Sequence, residues 1–547
     1  NEKLNVKFLV RMEEVTDRIA AGETAAQIVE KAKAEGTGYK ASVEQMYYGN
    51  QQFLFVYEQF DDVRLVAAPP SSIGKFGGDT DNWIWPRHTG DFSMFRVYAS
   101  KDNRPAAYSP QNVPYRPKKH FSISTKGVKE GDFTMIYGFP GNTQEYILSD
   151  AVAYIAERSD PAKIAIRTGR LDIITKAQES DPALPIHYAA KHASIANAWK
   201  KWQGEALGID RRGTVAAKFD YETQFGLWSV GRPEYAGVVM GLRAEYDRIM
   251  DAYFAYEITR ETLSTLPAAY TPEERAEECF ARRKSAEQAL WRHAFREYGR
   301  CPKVYRTPSY AEGMARYKSP EAYADALFEA VWEGSDSVAM QPAVRLREET
   351  KRMLDHISWM LGTKSLRNLN SKILNELYTT YIKGLREWDR ERAFYPDANL
   401  TLRVAYGSVA GYEYADGEYH KPQTTLDGII AKDNPEIYDY DIPQSLRDLY
   451  ASKNYGRWGT VIDGRRTVSV CFLATNHTTG GNSGSPVLNA GGELIGINFD
   501  RTWRSTMSDI AYDPAICRNI AVDIRYVLFV VDRVGGAGYL LKEMTLK

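Results

Sequence analysis

The spacing of hydrophobic and polar positions changes twice along the chain. Over residues 1–144, short apolar runs such as 53–57 and 63–66 are separated by glycine, proline and aspartate, which is typical of β-strands. Between 145 and 399, apolar residues recur every three or four positions within long charged segments, and this spacing predicts α-helices. The strand pattern returns over 400–547. The sequence therefore predicts a mixed β and α fold in the order β, α, β.

Three helix starts stand out in the middle segment. Each pairs a side chain that can cap a helix with a proline suited to the first turn, as in Asp160-Pro161, Thr271-Pro272 and Ser319-Pro320. Glu274 completes a capping box with Thr271. We therefore expect a helical domain between two β segments.

Two organisations fit the order β, α, β. A single β unit could be interrupted by a helical insertion, or two unrelated β domains could flank a helical one. The pattern of residues leaves both open, with the divisions 1–144, 145–399 and 400–547. No internal repeat of fixed period is present.

Composition removes several classes of function. The 547 residues include 70 Lys and Arg against 71 Asp and Glu, so the chain lacks the basic field of a nucleic-acid binder. The longest apolar candidate for a membrane span, 522–531, is short and contains Asp523 and Arg525. The four cysteines form no CxxC pair, which argues against a zinc knuckle. We expect a soluble globular protein with no membrane span.

A serine motif carries the strongest chemical signal. Ser483 lies in Thr-Thr-Gly-Gly-Asn-Ser-Gly-Ser-Pro-Val, residues 478–487. A nucleophilic serine needs a tight, glycine-flanked turn that exposes its Oγ and aims backbone N–H groups at the oxyanion, and Gly481 and Gly484 suit such a turn. The alternative is a glycine-rich hairpin turn without catalysis. The strand pattern that follows the motif favours the nucleophile.

Two opposite charges follow that serine. Residues 492–499 alternate like a strand and would carry Asp500 and Arg501 back toward Ser483. They could form an exposed ion pair of little consequence. Alternatively, the Arg501 guanidinium could bind a substrate carboxylate with two hydrogen bonds.

A general base is the missing partner. A serine nucleophile normally needs an imidazole within hydrogen-bond reach. His88 and His477 are the candidates on spacing, but a single histidine is more often a loop residue bonded to nearby backbone, and that interpretation is favoured for both.

The segment 77–91 is too polar for a core strand, with three carboxylates, an arginine and two tryptophans. It lacks the glycine and terminal glutamate that close a calcium loop, and no HExxH motif occurs in the chain. The sequence therefore predicts neither a metal nor another cofactor.

At these residues the chain resembles a bacterial family of serine dipeptidyl peptidases, and within it the Asp/Glu-specific branch. The resemblance covers essentially the whole chain and is sharpest over 77–92, 194–199 and 478–510. It implies a chymotrypsin-like double β-barrel interrupted by an inserted α-helical domain. Residues 1–144 would then be the remainder of the first barrel, and 400–547 would be the second barrel with the nucleophile.

The resemblance also assigns catalytic roles. Ser483 matches the nucleophile, Asp91 matches the triad carboxylate, and the N–H groups of Gly481 and Ser483 match the oxyanion hole. The family's catalytic histidine lies upstream of anything that matches Asn1. We therefore expect an incomplete triad and a chain that lacks its N-terminal part.

Substrate-binding roles come from the same resemblance. The positions that match those holding the free α-amino group of a substrate are Asn82, Trp83, Asn197 and Asp500. Arg501 matches the position that sets the preference for the residue before the cut, and an arginine there implies Asp or Glu.

Together these matches imply an enzyme that releases N-terminal dipeptides with Asp or Glu at the second position through an acyl-enzyme. They also imply a homodimer in the periplasm or on the surface of a Gram-negative bacterium. A chymotrypsin-like endopeptidase and a peptide-binding module that has lost catalysis are the alternatives.

Overall fold

A computed structural model describes residues 4–334, 337–362 and 369–547. The chain forms two compact units, one made of residues 1–146 with 391–547 and the other of 147–390. Within the described residues, every strand belongs to the first unit, and the second unit is helical. The predicted mixture of β and α structure is confirmed.

The strands come in two groups along the chain. Those before the helical unit are β1 (Val6–Glu14), β2 (Tyr39–Met46), β3 (Gln51–Phe60), β4 (Asp62–Ala67), β5 (Met94–Ala99), β6 (Val113–Pro114) and β7 (Phe133–Gly138). Those after it are β8 (Arg403–Ser408), β9 (Tyr412–Ala415), β10 (Glu418–His420), β11 (Gln423–Thr425), β12 (Thr460–Ile462), β13 (Arg465–Thr467), β14 (Ser469–Ala474), β15 (Pro486–Leu488), β16 (Leu494–Arg501) and β17 (Asn519–Asp523).

The α-helices follow the same division. The first unit contains α1 (Thr16–Ala20), α2 (Ala25–Ala34) and α3 (Ser71–Gly74). The helical unit contains α4 (Ser149–Tyr154), α5 (Asp160–Ser180), α6 (Leu184–Arg211), α7 (Thr214–Ser229), α8 (Val238–Glu261), α9 (Pro272–Ala276), α10 (Lys284–Tyr298), α11 (Pro308–Tyr317), α12 (Pro320–Glu333), α13 (Ser337–Leu361) and α14 (Lys372–Trp388). The first unit resumes with α15 (Leu426–Lys432), α16 (Gln444–Ser452) and α17 (Ile524–Phe529).

A seven-stranded sheet dominates the first unit, in the order β11-β14-β17-β16-β15-β7-β8. Strand β7 precedes the helical unit, yet it pairs on one side with β15 and on the other with β8. The chain on both sides of the helical unit therefore builds one sheet, which excludes two unrelated β domains. Two three-stranded sheets, β1-β3-β2 and β4-β5-β6, and two hairpins complete the unit.

The large sheet is buried on both faces. Phe472 on β14 and Ala521 on β17 pack into one apolar cluster with Val487. Their neighbours Leu473 and Val522 belong to a second, larger cluster. This alternation follows from the two-residue repeat of a strand and holds the central strands rigidly. Strand β16, which carries Asp500 and Arg501, lies between β15 and β17 within this frame.

Two of the three predicted helix starts are confirmed. Thr271 and Glu274 form the predicted capping box, and the Ser319 side chain accepts the N–H of Ala322. The prediction at Asp160 is wrong, because the preceding turn is already helical and the Asp160 side chain makes no cap. Asp160 is buried and lies 3.0 Å from the Lys163 ammonium instead.

The helical unit has its own core. Leu171 and Ile174 of α5 pack with Tyr188 and Ile195 of α6 and with Leu290 of α10. In the described part of the chain, no helix combines the length and the apolar character needed to cross a bilayer.

Candidate active site

Ser483 lies in a tight turn between Thr478 and the start of β15. The turn uses left-handed backbone at Gly481, with φ of +106°, and at Gly484, with φ of +82°. Only glycine adopts such angles without strain, which explains the glycines that flank the serine. Ser483 is exposed, whereas Asn482 beside it is buried. The predicted exposed serine in a glycine-flanked turn is therefore present.

Hydrogen bonds between two asparagine side chains and backbone groups hold this turn in place. The Asn482 side-chain oxygen accepts the N–H of Thr479 at 3.1 Å. The backbone carbonyl of Asn482 accepts a hydrogen bond from Nδ2 of Asn498 at 3.0 Å. The N–H of Gly484 donates to the carbonyl of Asn498 at 2.8 Å. Because Asn498 belongs to β16, the serine turn is tied to the strand that carries Asp500 and Arg501.

Two backbone amides in the turn have no acceptor among the residues that the structure describes. The N–H of Asn482 donates to the carbonyl of Thr479 at 3.0 Å, whereas no described residue accepts the N–H of Gly481 or of Ser483. The Ser483 hydroxyl donates to the carbonyl of Phe499 at 3.3 Å. Two N–H groups left without an acceptor on either side of Asn482, beside an exposed serine hydroxyl, are suited to stabilise an oxyanion.

Asp500 is held in one orientation by three donors. Its carboxylate accepts Nη1 of Arg87 at 2.7 Å, the N–H of Trp83 at 3.3 Å and the N–H of Arg501 at 2.8 Å. The pairing of β16 with β17 shifts register between Asn498 and Asp500, and such irregularities redirect side chains. Asp500 therefore presents a fixed carboxylate that an ion pair partly neutralises.

Arg501 is buried, and its guanidinium binds residues other than Asp500. Its Nη1 donates to Asp509 at 2.7 Å, to the Ser508 hydroxyl at 2.9 Å and to the Thr478 carbonyl at 3.2 Å. Its Nη2 donates to the second Asp509 oxygen at 2.9 Å. The guanidinium also lies 5.6 Å from the centre of the Trp83 ring. The alternative of an exposed pair between Asp500 and Arg501 is therefore wrong.

Asp91 is exposed, and its carboxylate accepts no hydrogen bond from the described residues. The surrounding protein raises the pKa of its carboxyl, mainly by partial loss of hydration, while Arg87 opposes the shift and Asp500 adds to it. These influences place Asp91 in the same electrostatic neighbourhood as the Arg87–Asp500 pair.

Neither candidate histidine bonds to Ser483 in the described structure. His477 pairs through Nε2 with the Ser508 carbonyl at 2.8 Å and stacks on Tyr512, and burial lowers its pKa. His88 is buried, and burial together with Lys432 and Arg87 lowers its pKa to about 3. His477 is thus bonded to backbone, whereas Nδ1 of the buried His88 has no hydrogen-bond partner among the described residues.

The remaining predicted binding residues lie in different units. Asn82 is half-buried and precedes Trp83, whose backbone is left-handed with φ of +68°. Asn197 is exposed on α6 of the helical unit. Asn197 and Asp500 belong to different units, and their grouping stays a prediction.

One group of potential metal ligands occurs among the described residues. Ligand atoms of His187, Glu277 and Cys279 in the helical unit all lie within 4.8 Å of one another. The Arg283 guanidinium already provides a cation there, 3.4 Å from Glu277 and bonded to His187. A metal would have to displace it, so these residues carry no metal assignment.

The comparisons with known proteins agree with this geometry. The peptidase S46 profile matches residues 1–276 and 271–546. This chain belongs to the peptidase S46 family. An Asp/Glu-specific dipeptidyl-peptidase of Capnocytophaga gingivalis is 41% identical over 606 aligned positions, covering 100% of this chain and 84% of the relative. The same activity is named for a Flavobacterium psychrophilum relative, 40% identical over 100% of this chain and 83% of the relative.

Solved structures extend the S46 match to three dimensions. Crystal structures of Porphyromonas endodontalis DPP11 are 32% identical and cover 100% of this chain and 86% of theirs. The TM-score is 0.87 for one structure and 0.83 for the complex with the dipeptide Arg-Glu. The mixed α and β fold of this S46 member is therefore shared with that peptidase.

Two charged residues of this S46 site were not found from the sequence. Arg87 and Asp509 are the counter-ions of Asp500 and Arg501. Arg87 lies in the polar segment 77–91, whose unusual charge density was a usable signal. Asp509 lies within 478–510, where the family resemblance is sharp, but the resemblance assigned it no role.

Proposed function

We propose that this S46 chain is a serine dipeptidyl aminopeptidase that releases N-terminal dipeptides with Asp or Glu at the second position. The observation that carries the proposal is the bond from Arg501 to the Thr478 carbonyl. It ties a buried guanidinium to the loop that presents Ser483. Relatives named Asp/Glu-specific dipeptidyl-peptidases match the whole chain, which supports the same substrate class.

Ser483 is proposed as the nucleophile. Its Oγ attacks the carbonyl carbon of the second substrate residue, and the unsatisfied N–H groups of Gly481 and Ser483 receive the oxyanion. Collapse of the intermediate breaks the peptide bond and leaves an acyl-enzyme, which water then hydrolyses. We assign Asp91 to orienting the general base, and we assign the base itself to neither His88 nor His477.

The length of the product is set by the substrate's amino terminus. Asp500, Asn82, Trp83 and Asn197 are proposed to bind the free α-ammonium, since a carboxylate and amide oxygens are what an ammonium needs. A fixed ammonium site admits two residues before the scissile bond. Arg501 is proposed to bind the acidic side chain of the second residue.

The family resemblance suggests further features. We propose that the sheets of the first unit correspond to a chymotrypsin-like double β-barrel, into which the helical unit of residues 147–390 is inserted. Strand β7 would belong with the strands of 400–547, because it pairs with β8 and β15. We also propose a homodimer in the periplasm or at the cell surface of a Gram-negative bacterium.

Active-site labelling tests the serine chemistry. A fluorophosphonate should label Ser483 in the complete protein, and Ser483→Ala should abolish both labelling and dipeptide release. Ser485→Ala is the matched control, because Ser485 lies in the same loop but is buried. No labelling of the wild type would favour a peptide-binding module without serine catalysis. Labelling that persists in Ser483→Ala would refute Ser483 as the nucleophile.

A further inference from the structure

Arg501 already has a carboxylate partner before any substrate binds. The two terminal guanidinium nitrogens of Arg501, Nη1 and Nη2, donate hydrogen bonds to the Asp509 carboxylate at 2.7 and 2.9 Å. The side chains are 6% and 13% exposed. A pair with two parallel bonds and little solvent is among the stronger ionic contacts in proteins.

The backbone holds Asp509 in this position. Residues Trp503–Asp509 form a tight 3-10 turn directly after β16, which brings Asp509 back to Arg501. The carbonyl of Asp509 also accepts the N–H of Gln144 at 2.6 Å. The backbone therefore holds this carboxylate beside Arg501, and the pair is no chance contact of a surface side chain.

A substrate carboxylate that approaches Arg501 also comes close to the negative charge of the Asp509 carboxylate. Two carboxylates that share one guanidinium repel each other at short range, and the repulsion is strong where solvent is scarce. The pocket would hold one positive and two negative charges after an acidic residue binds. Asp509 therefore weakens the attraction that Arg501 alone would exert.

We propose that Asp509 is a specificity-setting residue that competes with the acidic side chain of the substrate for Arg501. This inference rests on the proposed function. The competition limits the affinity for acidic side chains, and it assists release of a dipeptide product that carries two carboxylates. Asp509 acts through Arg501 and is a positioning residue.

Substrate kinetics of Asp509→Asn test the proposal. The amide keeps the shape and one acceptor oxygen but removes the charge. We expect the KM for peptides with Glu at the second position to fall by about tenfold, the factor that 1.4 kcal/mol represents. The KM for the matching Gln peptides should change less than about twofold, since a neutral side chain meets no charge repulsion.

Ser508→Ala is the matched control. It removes a neutral acceptor of the same guanidinium nitrogen, at 2.9 Å, without changing the charge. It should leave the difference between Glu and Gln peptides at the wild-type value. Asp509→Glu, which retains the charge, should likewise keep the wild-type preference.

Calorimetry with the dipeptides Ala-Glu and Ala-Gln gives a readout independent of turnover. Asp509→Asn should bind Ala-Glu more tightly than the wild type does and Ala-Gln equally. Weaker binding of Ala-Glu, or an equal change for both dipeptides, would overturn the competition and leave Asp509 as a support of the fold. A wild type that binds both dipeptides alike would instead overturn the proposed function of Arg501.

Discussion

The Arg87 guanidinium lies 2.7 Å from the carboxylate of Asp500, and the two side chains are only 9% and 10% exposed. Arg87 also donates to the Thr89 hydroxyl at 2.6 Å and to the Asp81 carbonyl at 2.9 Å. The pair thus fixes the polar segment 77–91 to strand β16. In the proposed function, this pair orients the Asp500 carboxylate for an incoming ammonium.

Arg87→Met should destabilise the protein. It leaves the Asp500 carboxylate buried without its counter-ion, and breaking a buried pair in this way costs about 3–5 kcal/mol. The measurement is the free energy of unfolding from denaturant titration.

Lys421→Met is the control for that loss. Lys421 pairs with Asp463 at 2.6 Å, but the two side chains are 69% and 67% exposed. Its removal should cost less than about 1 kcal/mol. Equal effects of the two substitutions would show that the Arg87–Asp500 pair contributes no more than a surface pair.

Arg501→Gly should remove the preference for acidic residues. Truncating one partner of a buried charge contact costs about 2–5 kcal/mol, so kcat/KM for Glu over Leu at the second position should fall at least about 30-fold. Arg525→Met is the matched control, because it removes another buried guanidinium, paired with Asp523 at 2.6 Å. That control should lower stability and leave the preference unchanged. An unchanged preference in Arg501→Gly would refute the role of Arg501.

Gly481→Ala should impair the proposed oxyanion site. The added methyl group would collide with the Phe139 carbonyl oxygen, and φ of +106° is strained for alanine. Displacing one oxyanion donor lowers kcat by about 10²–10³-fold, with KM nearly unchanged. Gly480→Ala, whose methyl group would meet no atom within 4 Å, should keep kcat near the wild-type value. Similar kcat values for both variants would contradict this assignment.

His88 should make stability depend on pH. Burial lowers its pKa from the ordinary 6.5 to about 3 in the folded protein, and Lys432 and Arg87 add to the effect. Between these values the unfolded chain binds the extra proton, so the free energy of unfolding falls as the pH drops, by up to about 1.4 kcal/mol per pH unit. His88→Gln should flatten this slope between pH 6 and 4.

His356→Gln is the comparison for that slope, because His356 is an exposed histidine on α13. The free energy of unfolding of this variant should depend on pH as that of the wild type does. If His88→Gln also retained the wild-type slope, other groups would be responsible for the acid sensitivity.

Local signals predicted much of the fold. The Thr271 and Ser319 caps depend on bonds within three residues, so a short sequence window contains them. The Asp160 prediction failed because the preceding turn continues the helix and Lys163 takes the carboxylate as a partner. The pairing of β7 with β8 joins residues more than 250 positions apart and has no local signature.

The candidate site also combines features that a local motif predicts with features that depend on distant residues. Ser483 and its glycines form a local motif, and the strand that carries Asp500 and Arg501 follows within twenty residues. The partners of Asp500 and Arg501 were not predictable from a local motif, because Arg87, which binds Asp500, lies 413 positions away in the sequence. Adjacent strand residues face opposite sides, which explains why Asp500 and Arg501 take separate partners.

The most direct test of the proposed function uses two peptides that differ only at the amino terminus. Both have Glu at the second position, and one is N-acetylated. We predict that the complete protein releases the dipeptide from the free peptide and leaves the acetylated one uncut, as mass spectrometry of the products would show. Cleavage of the acetylated peptide after Glu at a comparable rate would contradict the account and indicate an endopeptidase.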